Sequence, residues 1–405
     1  MKKSVVFLFA VCASVSALAV SPTVVEGSVR FLKHSPNGVV ITYGLKDYPA
    51  IVTFDIKTNG VSIGSEKLTE VTGDVNALVD KAEGRIKWIP GENEKALKGI
   101  TATVTAYPVS APPDYLVVDL RTGSHNYYVS SNAVPSGVTA DVYKTDKLVL
   151  RRIHARNVTW RMGSPTDEAN REGRDAGSET PRMVSFSSDY FMSIYPLTVR
   201  QQKNIHDVAY RTAEPTAVSA NDKLPANCSY VTLRDYDWPS DGHDKVGNQS
   251  TCGILRSAGY ANIDFDLPTS AQWEFACRAG TTGLTYFDGD LDKIAWTGRN
   301  AKNSLHPVGL LMPNAWGLYD MLGNKMEFVL DKRIASQVLS RDPQLDPLGP
   351  TTGDGNNRRI LRGGSYADGW GENDNRSAWS YYTGADQWDT YRGGRLCCPV
   401  TLKFE

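Results

Sequence analysis

Short runs of alternating apolar and polar residues fill the first third of the chain and restrict that part to β-structure. Examples are residues 38–43, 50–56 and 100–107, which are rich in β-branched side chains. Asn59-Gly60 lies between two such runs and favours a type I′ hairpin turn, because both central residues of that turn need a positive φ. We therefore predict a small antiparallel β-sandwich over residues 20–122.

The rest of the chain needs a second domain, because single cores stop growing at roughly 250 to 300 residues and this chain has 405. Residues 123–146 are polar and predict a linker, so the second domain is expected over residues 147–405. The first domain carries no catalytic constellation. It is interpreted as a spacer or adhesion module of fibronectin or immunoglobulin type.

The first 19 residues have the pattern of a signal peptide. Lys2 and Lys3 precede an apolar run that ends at Ala17-Leu18-Ala19, a small-x-small cleavage site. The run is shorter than the roughly 20 residues that cross a bilayer, and no later segment is apolar enough. We expect cleavage after Ala19 and a secreted or periplasmic protein that does not span a membrane.

Charge and cysteine content exclude several classes of partner and site. Lys and Arg number 44 against 45 Asp and Glu, so no overall field attracts nucleic acid or an anionic membrane. Cys12 is removed with the predicted signal peptide. The remaining five cysteines face an oxidising compartment in which disulfides are expected. No CxxC pair occurs and the six histidines are scattered, which gives little support for a zinc or iron site built from His and Cys.

Four blocks of distinctive sequence follow one another in the second domain. They are Met162-Gly163-Ser164-Pro165, the segment 267–280, the segment 313–329 that contains Gly-Leu-Tyr-Asp-Met-Leu-Gly-Asn, and Leu361-Arg362-Gly363-Gly364-Ser365-Tyr366. In the second block Thr269 and Gln272 have the spacing of a capping box, which predicts a helix that ends near Gly280.

In this order the blocks resemble the formylglycine-generating enzyme family, also called sulfatase-modifying factors, across about residues 147–405. The resemblance implies an α+β, loop-rich domain of the C-type lectin type. The 35 glycines and 21 prolines suit such a chain, because its turns need positive or fixed φ values.

The family enzyme oxidises a cysteine of a client sulfatase with copper held by two cysteines that follow the Arg-Gly-Gly-Ser block. Residues 366–376 occupy that place here and contain no cysteine. Cu(I) needs soft thiolate ligands, so no copper is expected. We interpret the chain as a non-catalytic binding protein for a protein or glycan. The alternatives are an enzyme of altered chemistry, oxidoreductase or metal-dependent, that uses Asp368, Glu372 and Asp374, and a structural or adhesion component.

Some relatives of this family use the fold only to bind ligands, and their binding face lies near the C-terminal loops. This chain has many aromatic residues there. Trp and Tyr are enriched in binding hot spots, although half of such residues could equally belong to the core. The predicted ligand-binding residues are Asp368, Trp370, Glu372, Arg376, Trp379 and Trp388.

The resemblance also implies a calcium site and a disulfide. Calcium would be held by side-chain oxygens of Asp320 and Glu327 and by the backbone carbonyls of Gly323 and Lys325, since Ca²⁺ prefers oxygen ligands. Cys252 would pair with Cys397 or Cys398. Cys277 would pair with Cys228 or with the remaining terminal cysteine.

Overall fold

The computed structural model describes residues 21–35, 38–165, 167–168, 179–207, 217–235, 238, 245–257, 263–333, 342–350, 352–367 and 374–400. Within these ranges the chain is rich in sheet and has few helices, so it is an α+β protein with an N-terminal all-β region. The leader predicted at residues 1–19 lies outside the described residues and stays a prediction.

The described part of the N-terminal region holds nine strands in two antiparallel sheets that share one core. The strands are β1 (Thr23–Val24), β2 (Arg30–Ser35), β3 (Gly38–Lys46), β4 (Ala50–Thr58), β5 (Val61–Ser62), β6 (Glu70–Gly73), β7 (Ala77–Val79), β8 (Glu83–Ile89) and β9 (Ile100–Tyr107). One sheet has the order β1-β3-β8-β6 with β2 also on β3, and the other has β5-β4-β7 with β9 on β4. Asn59 and Gly60 have φ values of 51° and 81° between β4 and β5, which confirms the predicted hairpin.

Twelve more strands form three sheets in the described remainder of the chain. They are β10 (Tyr115–Asp119), β11 (His125–Tyr128), β12 (Lys147–Ile153), β13 (Thr159–Met162), β14 (Arg182–Ser185), β15 (Tyr190–Ser193), β16 (Met326–Lys332), β17 (Gln344–Leu345), β18 (Arg358–Arg362), β19 (Ser380–Gly384), β20 (Arg392–Gly394) and β21 (Cys397–Pro399). The sheet orders are β11-β10-β12-β15-β21, β13-β14-β17 and β19-β18-β16-β20.

Four short α-helices accompany these sheets in the described residues: α1 (Val199–His206), α2 (Tyr230–Leu233), α3 (Thr251–Ser257) and α4 (Ser270–Arg278). The capping box predicted at α4 is confirmed, because the Gln272 amide donates to the Thr269 hydroxyl at 3.2 Å and the Gln272 side chain accepts from the Thr269 amide at 2.9 Å. Helix α4 ends at Arg278, and its C-cap is Ala279, one residue before the predicted stop, with a left-handed φ of 45°. Eight of its nine residues are buried, so α4 is an internal helix.

The predicted domain boundary and linker are wrong. Strand β10, expected as the last strand of the N-terminal sandwich, pairs with β12 of the second domain from Tyr115 to Asp119. Strand β11, inside the predicted linker 123–146, pairs with β10. The physical reason is burial: Leu116 and Val118 are 1% and 0% exposed and pack in the core of the C-terminal part. The second domain therefore begins near residue 115.

No helix within the described part of the chain is long and apolar enough to cross a bilayer.

The revised boundary makes a prediction for fragments. A fragment that starts at residue 110 should unfold cooperatively, whereas one that starts at residue 147 should not, because it lacks the β10 side chains whose burial contributes about 1.5 to 3 kcal/mol each. Thermal unfolding followed by near-ultraviolet circular dichroism measures this difference. Equal melting of the two fragments would show that β10 and β11 are dispensable for the second domain.

Candidate functional site

A buried ion-pair cluster occupies the centre of the C-terminal part, around helix α4. The Glu274 carboxylate accepts hydrogen bonds from Arg278 Nε at 2.9 Å, Arg362 Nη2 at 3.0 Å and the Gly163 amide at 2.9 Å. Burial alone would raise the pKa of Glu274, but the charges of Arg278 and Arg362 outweigh it and lower that pKa. Charged hydrogen bonds of this kind are short and strong. The cluster joins α4 to β18 and to the turn after β13.

Arg376, predicted to bind ligand, belongs to a second buried cluster, and that prediction is wrong. Its guanidinium donates to both carboxylate oxygens of Glu179, at 2.8 and 2.9 Å, and to Glu168 at 2.8 Å. The Arg376 side chain is fully buried. A charge that is removed from water needs such partners, so Arg376 fixes the chain internally and is not presented to a ligand.

Trp379 is also part of the core, contrary to its predicted ligand role. It is 3% exposed and stacks on Tyr381, with ring centroids 6.1 Å apart and an angle of 7° between the planes. The Trp379 carbonyl accepts from Arg362 Nη1 at 3.2 Å, which ties the start of β19 to the ion-pair cluster. The three other predicted residues Asp368, Trp370 and Glu372 lie outside the described residues.

Trp388, also predicted to bind ligand, is exposed to solvent, and its binding role stays a prediction. It is 70% exposed, the largest exposed fraction among the large exposed hydrophobic side chains, and it lies in the loop 385–391 between β19 and β20. On β19 before this loop, Tyr381 and Tyr382 are half-buried and stack 5.7 Å apart at 16°. The Arg333 guanidinium lies 3.7 Å from the Tyr382 ring centroid. We call Tyr381, Tyr382 and Trp388 the β19 aromatic edge.

The predicted calcium ligands do not fit calcium in this structure. The Glu327 carboxylate accepts from Arg395 at 3.0 to 3.2 Å and from the Trp273 indole at 2.7 Å, and all three side chains are buried. The Gly323 carbonyl accepts from the Lys325 amide at 2.7 Å. A guanidinium already neutralises the carboxylate that a calcium ion would need. The donor set of Asp320, Gly323, Lys325 and Glu327 therefore stabilises a turn and an ion pair.

Asp320 is the remaining buried carboxyl of that turn. One of its oxygens accepts from the Gly309 amide at 2.7 Å. Burial is the main cause that raises the pKa of Asp320 to about 6, and the Gly309 amide and Arg395 oppose it. Its φ of 51° is one that Asp and Asn tolerate better than other side chains with a Cβ.

A sequence-family comparison matches residues 158–396, more than half of the chain, to the sulfatase-modifying factor enzyme 1-like domain. The chain belongs to this family. The residues that build its two ion-pair clusters and the Glu327–Arg395 pair lie inside the matched range.

Curated relatives match shorter segments. The formylglycine-generating enzyme of Streptomyces coelicolor is 36% identical over 115 residues, 25% of this chain and 35% of that protein. The mouse formylglycine-generating enzyme is 30% identical over 115 residues, 25% of this chain and 30% of that protein. The bovine inactive C-alpha-formylglycine-generating enzyme 2 is 32% identical over 116 residues, 25% of this chain and 32% of that protein. The matched segments thus span about a third of these relatives.

Two solved structures are similar at low identity. Treponema denticola variable protein 1 gives a TM-score of 0.45 at 22% identity, covering 62% of this chain and 95% of that one. PvdO from Pseudomonas aeruginosa gives 0.47 at 19% identity, covering 62% and 94%.

This sulfatase-modifying-factor domain contains the five described cysteines. Cys228, Cys252, Cys277, Cys397 and Cys398 are buried, and burial raises the pKa of each thiol, to about 12 for Cys228 and Cys277. Cu(I) is bound by thiolate, and burial disfavours this charged form of a thiol. Residues 366–376, where the family resemblance places the copper ligands, contain no cysteine.

The structure records no disulfide among the five described cysteines, so the pairing of Cys252 with Cys397 or Cys398 stays a prediction. Successive residues of a strand point to opposite faces. Cys398 packs in the same hydrophobic cluster as Cys252, whereas Cys397 packs in the other. The Cys397 thiol is nevertheless close enough to Cys252 that the Cys252 charge helps to raise its pKa.

Sequence reasoning missed Glu274, Arg362 and Arg395, which carry the buried charges. A signal was present, because charged residues inside otherwise apolar or glycine-rich blocks are rarely left buried without partners. Arg362 precedes Gly363-Gly364, and Arg395 follows Gly393-Gly394.

The raised pKa of Asp320 predicts how the stability of the protein depends on pH. Because its folded pKa of about 6 exceeds the unfolded value near 3.9, the folded state binds more protons between pH 4 and 6. Stability from this residue therefore falls as pH rises through that window. Asp320→Asn stays neutral and should gain about 1 to 3 kcal/mol over the native protein between pH 4.5 and 7.5.

Urea unfolding at several pH values measures this gain. The control is Asp47→Asn, an exposed aspartate that also has a positive φ, and its profile should follow that of the native protein. Parallel pH profiles for Asp320→Asn and the native chain would contradict the assignment.

Proposed function

We propose that the chain is an exported binding protein that uses a C-type-lectin-like, sulfatase-modifying-factor scaffold without the family's copper chemistry. The observation that carries the proposal is the combination of one missing and one retained feature. Residues 366–376 supply no cysteine, while the neighbouring strand and loop present the β19 aromatic edge.

The thiols support the non-catalytic part. Every described cysteine is buried, and burial raises the pKa of each thiol, which disfavours the nucleophilic thiolate that capture of copper or of a substrate sulfur requires. The matched segment is about a third of the curated enzymes, so the match alone does not assign the activity that their names state to this chain.

The β19 aromatic edge supports the binding part. Trp388 is held on a short loop whose base is fixed, because the Met326 amide donates to the Tyr391 carbonyl at 2.9 Å and Asp389 accepts from the Tyr391 amide at 2.8 Å. An exposed tryptophan on a fixed loop loses little entropy on binding, and Trp is a residue type enriched in hot spots. The class of ligand is a protein or glycan surface that an indole can cover.

The N-terminal sheets fit a spacer of fibronectin or immunoglobulin type that holds the binding domain away from an anchoring point. Their core is separate from the ion-pair clusters around α4. Residues 1–19 would direct export, and the mature chain would then work outside the cytoplasm.

Substitution of Trp388 tests the binding role. Trp388→Ala should weaken the complex with a surface-exposed partner of the producing cells at least about tenfold, which is the usual cost of a hot spot, while the melting temperature stays unchanged. The complex is measured by titration of the purified chain onto intact cells. Val61→Ala is the matched control, because Val61 is 68% exposed on the N-terminal region. Equal titration curves for Trp388→Ala, Val61→Ala and the native chain would exclude Trp388 from binding.

A further inference from the structure

A cavity of about 170 Å³ lies in the C-terminal part, apart from the β19 aromatic edge. Its walls come from the start of β15, the N-terminal end of α4, strand β21 and the residues after β17. Apolar side chains form most of the inner surface, among them Phe186, Tyr190, Trp238, Leu267 and Leu330. A cavity of about this volume with apolar walls is known to hold one benzene molecule.

The charged groups on this cavity have one sign. Four aspartates line it, and no Lys, Arg or His does so within the described residues. Two of them are neutralised from outside: Asp189 by Arg152 at 2.6 Å, and Asp266 by Arg234 and Arg256, both at 2.9 Å.

Asp346 differs from these two, because its hydrogen bond is to a neutral group. One oxygen of Asp346 accepts from the Ser187 amide at 2.9 Å, and the residue is half-buried with a φ of 46°. A carboxylate beside an apolar wall gains most from a ligand that brings its own positive charge. The polar groups at the end of α4 that face the cavity are already bonded, since Thr269 and Gln272 cap each other.

We propose that this cavity binds a small organic ammonium ion: a primary amine on a body of about one aromatic ring. The ring fills the space between Phe186, Tyr190 and Leu330, and the ammonium group donates to Asp346. A neutral ring leaves the carboxylate without a charged partner, and an organic anion is repelled by the Asp346 carboxylate. The proposal is independent of the proposed function, because none of the lining residues belongs to the β19 aromatic edge.

Binding of three probes to the full chain tests the proposal at pH 7.5. Isothermal titration calorimetry with benzylamine should show saturable binding. Benzyl alcohol should bind at least about tenfold more weakly, and benzoate should not bind. Asp346→Asn should weaken benzylamine at least about tenfold, the usual effect of losing a hydrogen bond to a charged group. Asn fits the positive φ and can accept from Ser187, so the variant should fold.

Asp47→Asn is the matched control, because it removes an exposed aspartate of positive φ outside the cavity, and it should bind benzylamine as the native chain does. Nuclear Overhauser contacts between the benzylamine ring and the Leu330 methyl groups should locate the ligand. The proposal is overturned if benzyl alcohol binds as tightly as benzylamine, if no probe binds, or if Asp346→Asn binds benzylamine like the native chain. Contacts to other methyl groups without Leu330 would equally overturn it.

Discussion

The C-terminal fold depends on four buried arginines that are held by glutamates. Arg362 and Arg278 share Glu274, Arg376 is clamped by Glu179, and Arg395 is clamped by Glu327. Burial of an isolated charge is costly, and removal of one partner of such a pair typically costs about 3 to 5 kcal/mol. The loops around each arginine are therefore stable only when that arginine is paired with its glutamate.

These ion pairs hold irregular segments of the chain in place, as backbone hydrogen bonds do in regular secondary structure. Arg362 also donates to the Ala378 carbonyl at 2.9 Å, and Arg395 donates to the Ser193 and Tyr319 carbonyls at 2.8 and 2.7 Å. A guanidinium has five donors in a fixed plane, so one side chain can fix several irregular segments at once. This explains how a chain with four short described helices keeps long loops in place.

Parts of this arrangement could be predicted from the sequence because they are local. The Thr269 capping box and the Asn59-Gly60 hairpin follow from residues three or fewer positions apart. The family assignment followed from four blocks in order. The boundary near residue 115 could not be predicted, because pairing of β10 with β12 rather than with the N-terminal sheets is decided by burial at long range. The burial of Arg376 and Trp379 could not be predicted for the same reason, because the residue type alone does not distinguish a buried side chain from an exposed one.

We propose that this chain keeps the family scaffold without the family chemistry. The arginine–glutamate pairs around Glu274, Glu179 and Glu327 stabilise the domain, and these pairs do not involve cysteine thiols. The segment that would carry that pair has no cysteine, and the described cysteines are interior side chains. Under this proposal the domain serves as a stable platform for exposed residues such as Trp388.

The central claim, that the scaffold is retained without the oxidase chemistry, is tested most directly by one turnover measurement. The full chain is incubated with copper, oxygen and a cysteine-containing sulfatase-motif peptide, and the peptide mass is followed against time. We predict that the cysteine mass persists at the rate of the protein-free control. A copper-dependent conversion of the thiol to the aldehyde would contradict the account.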